Sequence, residues 1–562
     1  TPVPRTLRQR ILSAATLGPR SEGVGGKVFA VREGLIEILD QNALADRAII
    51  FSLLTDAGRA GVPLSRRSER TISYIMKHPE LPVKNPKVSW AVLRDLLATD
   101  YPGIALRPMQ RLGLLAGVLP EFARIDSLVV RDFYHRYTVD EHSMRAIEHL
   151  QELAAPPDAR GNHFQALWKT VERRDLLIFA LLLHDVGKAM TAENVNEGSL
   201  EALESAAERL QLSATEKEEV RFLIKHQTDM AATVQRRDIF DPGTIATFAT
   251  TVGTQERLQR LCLFTYADIH AVNPEALTPW KAEMLWQLYS KTANYFSHTL
   301  DSDRLHASDE RTLLEQIREN IGDGGEQLET FLEGFPRRYM AMHSAAEIAG
   351  HFALYRELGK RPIQIVVKTA NNANTLTLMT QDRPQLFATL ASVLANQGMN
   401  IVTADAFANA AGIVLDTFRF TDLQRTLEQK PKAAEQFEQR FVEAIDAGTP
   451  MEPRVRAPQG SSKEKAAKGP EIESSIYFDD KASEHSTLLE IVTKDRPGLL
   501  YDISSTLVRL GCNIEVALID TEGQKAIDVF YLTDHGKKLS SMKQESLREM
   551  LYLAVEAIKR AS

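Results

Sequence analysis

Cysteine is nearly absent: Cys262 and Cys512, far apart and each inside an apolar segment, are the only two in 562 residues. That excludes a disulfide scaffold and reads as two reduced core residues of a cytoplasmic protein. No apolar stretch approaches the roughly 20 residues that cross a bilayer, so no membrane partner is expected. Excess positive charge is missing too. Lys+Arg number 67 against 75 Asp+Glu, a net charge of −8, so there is no basic field to hold nucleic acid. The first twenty residues are basic and polar without an apolar centre, which excludes a secretory signal. Arg5, Arg8 and Arg10 leave a mitochondrial transit peptide open, but a start at Thr1 rather than Met favours a chain that begins inside a larger protein. Residues 1–125 hold no Gly-rich phosphate loop and no Asp-x-Asp metal pair. Gly23-Val24-Gly25-Gly26 is a turn cluster with no helix behind it to receive a phosphate.

What is present is ordinary globular material, 44% hydrophobic and 25% charged, and long enough for roughly three to five domains. Residues 1–125 read as a helical connector region. A short strand is expected at Leu35–Leu39, and helical spacing covers Ala45–Ala60, Ser89–Thr99 and Met109–Leu119. Residues 126–300 read as all-helical, over Val139–Leu153, Arg174–Lys188, Ser199–Leu210, Thr215–Lys225, Pro242–Thr251, Gln255–His270 and Pro279–Ser297. A charged helical linker follows at 301–362.

The pattern then changes and repeats. Thr375-Leu-Thr-Leu-Met-Thr-Gln-Asp-Arg-Pro-Gln-Leu-Phe is echoed by Leu488-Leu-Glu-Ile-Val-Thr-Lys-Asp-Arg-Pro-Gly-Leu-Leu. Each is followed by an amphipathic helix closing on a Gly-x-Asn-Ile turn, at Gly398 and Gly511. Each copy ends in a strand pair finishing on Asp422 or Asp534. So regular an echo is an internal duplication. It places α+β units at 363–445 and 484–562, with a flexible linker and a strand at 446–483. Thr449–Ser475, rich in Pro, Lys, Glu and Ser, is the mobile part.

Only one constellation offers chemistry. His184-Asp185 ends the apolar run Leu176–Leu183, with His142 opening an upstream helix and Asp268 late in another apolar helix. A lone His-Asp pair means little. Carboxylates buried on apolar helices, however, call for a cation, unless Asp268 pairs instead with Lys188. Two imidazoles and two carboxylates without thiolate suit Mg²⁺ or Mn²⁺, with Fe²⁺ also compatible, rather than a structural zinc. Such an ion lowers the pKa of water for phosphate-ester hydrolysis. Asp185 and Lys188 are the candidate catalytic residues, Lys188 by gripping a phosphate oxygen. Arg236-Arg237-Asp238 is either a further phosphate contact or a salt-bridge cluster.

The His142, His184, Asp185 and Asp268 set resembles the HD phosphohydrolase superfamily. The repeats resemble ACT domains, βαββαβ (ferredoxin-like) modules that usually bind amino acids. In the second repeat Asp495, Arg496, Pro497, Gly498 and Leu499 set a bare backbone before a helix start, where a ligand carboxylate can sit, and Asn513 opens the next strand. The competing reading makes Gly498 and Asn513 simple turn residues. Gln385 replaces that glycine in the first repeat. The whole chain is similar to the bacterial PII-protein uridylyltransferase/uridylyl-removing enzymes. The carriers are Leu119-Pro-Glu-Phe-Ala-Arg-Ile125, Asp132–His142, His184-Asp-Val-Gly-Lys188, Gln235–Pro242, Ala267-Asp-Ile269 and Asp495–Tyr501. The resemblance implies a multidomain protein, an all-α HD domain with helical connectors followed by two ACT domains. It also implies hydrolysis of uridylyl-tyrosine on the PII signalling protein, with glutamine as allosteric effector. The family's nucleotidyltransferase domain has no counterpart in this sequence, and Asn194 and Gln227 stand where members usually carry further histidines. Those departures keep a catalytically degenerate amino-acid sensor in view. An alarmone hydrolase ranks lower, because Gly187-Lys188 stands where such enzymes place acids.

Overall fold

A computed structural model describes residues 28–556, without 79–87, 131–135, 155–162, 191–193, 274–275, 299–312, 323–324, 371–372, 384, 423–426, 428–432, 448–471, 484, 497 and 523. The Gly23–Gly26 cluster, the basic opening, Pro497 and most of the Thr449–Ser475 linker lie outside the described residues. The chain divides into two units, Thr1–Ala231 with Val252–Ser290, and Ala232–Thr251 with Lys291–Ser562.

The first unit is helical apart from one hairpin. β1 (Phe29–Arg32) pairs antiparallel with β2 (Leu35–Ile38), the strand expected at Leu35–Leu39. Next come α1 (Arg47–Ala60), α2 (Arg66–Lys77), α3 (Trp90–Leu97) and α4 (Pro102–Arg111). The stretch expected as one helix, Met109–Leu119, is helical on both sides of a break rather than continuous. Gly113 takes φ 73°, a left-handed conformation that ends α4, and two short helical turns, Leu114–Val118 and Pro120–Ala123, follow.

The helices around the His-Asp pair are α5 (Val139–Glu152), α6 (His163–Thr170), α7 (Arg174–Leu183), α8 (Val195–Leu210) and α9 (Ala214–Lys225). After them come α10 (Asp229–Arg236), α11 (Pro242–Val252), α12 (Gln255–Val272) and α13 (Pro279–His298). Residues 175–183 of α7 are buried on every side, which is why that run shows no amphipathic period. The helix stops at Leu183 rather than running to Lys188. Asp185 leaves helical geometry (φ −107°, ψ 2°), and a 3₁₀ turn, Val186–Ala189, follows. Local chemistry sets the other ends. Ser213 and Glu216 form a reciprocal capping box on α9, and Thr254 accepts from the Arg257 amide at the start of α12.

The second unit contains α14 (Gly325–Leu332), α15 (Arg337–Met342) and α16 (Ala345–Glu357), then one antiparallel sheet. Its first half is β3 (Ile363–Ala370), β4 (Ala373–Gln381), α17 (Leu386–Asn396), β5 (Asn400–Ala408), β6 (Ile413–Thr421) and α18 (Ala433–Ala447). The second half is β7 (Ser475–Asp479), β8 (Thr487–Lys494), α19 (Leu499–Arg509), β9 (Asn513–Glu522), β10 (Lys525–Thr533) and α20 (Ser541–Glu556). Strand order is β3-β4-β6-β5-β9-β10-β8-β7, a palindrome about β5–β9. That junction pairs Thr403 with Leu518, Ala404 with Ala517 and Asp405 with Val516.

Each half therefore reads ββαββα and not the expected βαββαβ. The edge strand comes before the unit instead of after its last helix, because β3 and β7 pair directly with the strand that follows them. The four helices α17 to α20 cover one face of the sheet, with Leu390, Leu394, Phe418, Phe437, Ile503 and Phe530 in the core. Helices α14 and α16 pack on the opposite face of the first repeat against Met379, Phe407 and Leu415. Cys262 and Cys512 are buried free thiols, as expected. Among the described residues no helix is long and apolar enough to cross a membrane.

Candidate metal centre

Three helices deliver the four predicted ligands to one place. His142 comes from the first turns of α5, whose position is fixed twice. The Asp140 carboxylate accepts from the Ser127 amide at 3.1 Å and from Gln110 Nε2 at 2.7 Å. Arg107 on α4 reaches Glu141 Oε2 at 2.5 Å and Glu148 Oε1 at 2.6 Å. His184 and Asp185 follow α7, and Asp268 comes from α12, which packs along α5. His142, His184 and Asp185 are buried, while Asp268 opens to solvent on one side.

Their atoms converge. His142 Nε2 lies 2.8 Å from Asp268 Oδ1 and 3.8 Å from Asp185 Oδ2, and His184 Nε2 lies 3.3 Å from Asp185 Oδ2 and 3.4 Å from Asp268 Oδ1. The ligating atoms of His142, His184 and Asp268 fall within 4.8 Å of one another. His184 Nδ1 is 2.9 Å from the Leu181 carbonyl, which can only accept, so Nδ1 keeps its proton and Nε2 is the atom that can give one up to take a cation. That buried Nε2 makes no hydrogen bond of its own. A nitrogen with two carboxylate oxygens at 3.3 and 3.4 Å, all within ion-pair range, surrounds a common point. The residues present fit a divalent cation.

The electrostatics agree. Burial alone would lower the His184 pKa, yet the Asp185 carboxylate, with Asp268, raises it to about 10. Burial opposes ionisation of Asp185 and Asp268, but the two imidazoles hold both carboxyls well below the usual range. Two ionised acids in so small a volume demand positive charge, supplied by a protonated His184 or by a cation.

Lys188 is engaged otherwise than the sequence implies. Its Nζ lies 2.7 Å from Asp185 Oδ2, so it pairs with Asp185 and not with Asp268. Asn194 caps α8 through the Asn196 amide, Gln227 donates to Asn196 Oδ1, and His226 Nδ1 meets Asp229 Oδ2 at 2.7 Å. Arg236 and Arg237 sit within the second unit, 3.4 Å from Glu490 and 3.1 Å from Asp479, which is the salt-bridge reading rather than a phosphate contact.

Two supporting residues went unread in the sequence. Ser199 Oγ donates to the His184 carbonyl at 2.6 Å and accepts from the Gly187 amide at 2.9 Å, tying α8 to the turn after the ligands. Gly187 permits that approach, since a Cβ there would lie 2.0 Å from the Val195 carbonyl oxygen and 2.8 Å from the Ser199 amide. Both obstacles are backbone. Gly187→Ala is therefore expected to displace α8 and the His-Asp turn, lowering metal affinity and the melting temperature together. Unchanged metal affinity, measured by calorimetry, would show the contact to be dispensable.

The residues predicted for effector binding are only partly gathered. Gly498, at φ 82°, opens α19 with no side-chain cap, and its counterpart Gln385 holds φ 63° before α17. Arg496 reaches the Ala554 carbonyl at 2.9 Å and Asp502 at 2.6 Å, Leu499 is buried, and Asn513 is exposed at the start of β9. Asp495 is exposed, and partial desolvation pushes its pKa up.

Each repeat also buries an acid in its helix–sheet core. Asp416 shares its strand face with Val414 and Phe418, Asp528 with Ala526 and Phe530, and each leaves one oxygen without a hydrogen-bond partner. Burial, reinforced by Asp382, pushes Asp416 up to about 8; Asp528 is raised likewise, with Asp495 and Asp520 adding to burial. A raised native pKa means the folded state binds the proton more tightly than the unfolded chain does. That contribution is complete below pH about 4 and disappears as pH rises towards 8. Asp416→Asn is expected to flatten this loss. Amide exchange in β6 should quicken from pH 5 to 8 more in the parent than in the variant, after correction for intrinsic rates. An equal pH response would mean that Asp416 does not hold that proton.

Comparison with known proteins follows the same division. A family model described as ACR9-like, ACT-like domain matches residues 475–559. The bifunctional uridylyltransferase/uridylyl-removing enzyme of Phenylobacterium zucineum is 31% identical over 482 residues, 84% of this chain and 51% of that enzyme. Its namesake from Vibrio cholerae is 31% identical over 461 residues, 80% of this chain and 51% of the relative. That of Cereibacter sphaeroides is 30% identical over 552 residues, 95% and 58% respectively. The chain thus spans about half the length of the first two and somewhat more of the third. Among solved structures, a CCA-adding enzyme in complex with CTP aligns over 58% of this chain and 63% of that one, with TM-score 0.30 and 14% identity, too weak a likeness to carry an argument.

Proposed function

From a chain homologous over most of its length to bifunctional uridylyltransferase/uridylyl-removing enzymes, we propose the removing half of that activity: metal-dependent hydrolysis of a phosphodiester. The proposed substrate is uridylyl-tyrosine on the PII protein, and the proposed effector, read by the ACT-like repeats, is glutamine. The observation that carries the hydrolase reading is the convergence of His142, His184 and Asp268, whose ligating atoms lie within 4.8 Å of one another, with Asp185 Oδ2 3.3 Å from His184 Nε2.

His142, His184, Asp185 and Asp268 would hold Mg²⁺ or Mn²⁺, with Fe²⁺ also compatible with the donor set. When bound, the cation supplies Lewis acidity and brings the pKa of water into the neutral range. The protein does the rest. The Leu181 carbonyl keeps His184 in one tautomer, and Ser199 fixes the turn behind it. His142, His184 and Asp185 are buried, and the partly exposed Asp268 would give the diester its approach. Lys188 pairs with Asp185 and is partly exposed. With a cation held by Asp185, Lys188 would be available to a phosphate oxygen, where it would offset developing charge.

The effector reading places a ligand carboxylate at the uncapped start of α19, where backbone amides and the helix dipole favour an anion. Asp495, Arg496, Pro497, Gly498, Leu499 and Asn513 remain its proposed surroundings.

One observation favours the rival reading of a catalytically silent sensor. Lys188 already neutralises Asp185, and Asn194 and Gln227 are committed to Asn196. Metal content and Mn²⁺-dependent cleavage of a chromogenic phosphodiester separate the two. The hydrolase reading expects bound metal and turnover abolished by chelation. A folded chain with neither leaves only the sensor.

A further inference from the structure

Residues 232–251 stand in sequence between α9 and α12, the helix that carries Asp268, yet they belong to the second unit. What holds them there is the sheet face opposite the repeat helices. On their strands Asp405, Asp479, Glu490, Asp520 and Tyr531 alternate with core residues such as Ala404, Phe478, Ile491, Ile519 and Phe530, so they point to that opposite face. Four of the five are acids. A basic strap crosses them.

Gln235 Nε2 donates to Asp520 Oδ2 at 2.9 Å, Arg236 Nη1 lies 3.4 Å from Glu490 Oε1, and Arg237 Nη2 lies 3.1 Å from Asp479 Oδ2. The Asp238 amide donates to Tyr531 Oη at 2.5 Å. The Asp238 carboxylate takes Arg338 Nε, and Arg338 Nη2 reaches Asp405 Oδ1 at 2.8 Å. Arg419 Nη1 holds the other Asp405 oxygen at 3.1 Å. Asp238 and Asp405 are buried, 5% and 3% exposed, and Arg338 lies between them. A guanidinium buried between two acids holds firmly while both are present, and losing one partner leaves an uncompensated charge. The clasp touches both repeats, Asp405 on β5 and Tyr531 on β10.

One end of the strap leads in sequence to a metal ligand. Helix α10 runs unbroken from Asp229, whose carboxylate holds His226, to Arg236. Helix α11 leads through the Thr254 cap into α12, which carries Asp268. We propose that residues 235–238, closed by Arg338, form a latch through which the state of the paired repeats sets turnover at the metal site. Arg338 and Asp238 are positioning residues in that device. The latch rests on the hydrolase reading for its output, while its geometry stands without it.

The test uses the full chain with Mn²⁺ and a chromogenic phosphodiester, comparing wild type, Asp238→Asn, Arg338→Gln and Arg338→Lys. Arg338→Gln and Asp238→Asn are expected to lower kcat by roughly threefold to thirtyfold. Mn²⁺ affinity by calorimetry should stay unchanged, and Arg338→Lys should recover most of the rate. Hydrogen exchange should quicken in residues 232–251 and also in α12. Unchanged kcat despite faster exchange in 232–251 makes the clasp merely structural and overturns the latch. So does a fall in kcat matched by lost Mn²⁺ affinity. A wild type with no Mn²⁺-dependent turnover defeats the hydrolase reading alone. The latch is then judged on exchange, and acceleration confined to 232–251, sparing α12, overturns it.

Discussion

Asp185→Ala is expected to abolish both metal binding and hydrolysis while leaving the fold of the second unit untouched. Asp185 Oδ2 stands 3.3 Å from His184 Nε2, 3.8 Å from His142 Nε2 and 2.7 Å from Lys188 Nζ, so one truncation removes a ligand and frees a lysine. The freed ammonium beside two imidazoles repels a cation, which adds to the lost donor. Several kcal/mol of transition-state stabilisation come from a catalytic cation, so the rate should fall by on the order of a thousandfold or more. Asp185→Asn keeps the shape without the charge and should lose nearly as much. Steady-state turnover with Mn²⁺, beside metal content after gel filtration, reads both effects. Full activity in Asp185→Ala would mean that the assigned centre is not the catalytic one.

Gly498→Val is expected to do the reverse. Gly498 opens α19 at φ 82°, a region closed to β-branched residues, so the substitution costs about 1–3 kcal/mol and moves the helix start. If a ligand carboxylate sits at the α19 amides, that movement removes its seat. Basal turnover should survive, because Gly498 is neither one of the four metal ligands nor one of the clasp residues 235–238 and Arg338. The glutamine concentration for half-maximal response should rise by roughly fivefold to a hundredfold, the usual range of a coupling between sites. An unchanged response would remove the second repeat as sensor. The first repeat offers a control of opposite sign: Gln385 already holds φ 63°, so Gln385→Gly relieves strain there and should leave the second site alone.

Much of this was readable from residues because the signals are local. An eight-residue apolar run ending in His-Asp has to be a buried helix end, and it is, although the helix stops at Leu183 where Asp185 turns the chain. The duplicated Asp-Arg-Pro loops and Gly-x-Asn-Ile turns marked two repeats, and both appear in one sheet. What stayed hidden depends on contacts far apart in sequence. The ββαββα order turns on β3 and β7 finding their partners before the first helix, which alternation alone cannot show. Ser199 sits in a helix pattern with nothing to mark its bond to the His184 carbonyl. The Arg236-Arg237-Asp238 run looks the same whether it faces phosphate or carboxylates, and its acceptors lie more than two hundred residues away in Asp479 and Glu490. Lys188 was legible as a nearby cation but not as the partner of Asp185. Asp416 and Asp528 stood at core positions of alternating strands, so their parity was visible and their burial was not.

The most direct test is a Mn²⁺ titration of the intact chain followed by electron paramagnetic resonance, beside the same titration of His184→Ala. Four converging ligands predict that about one Mn²⁺ per chain leaves the free-ion signal in the parent and stays free in the variant, with proton release on binding as His184 gives up its charge. A parent that leaves all Mn²⁺ free, or a His184→Ala chain that binds it equally well, would contradict the centre on which the account is built.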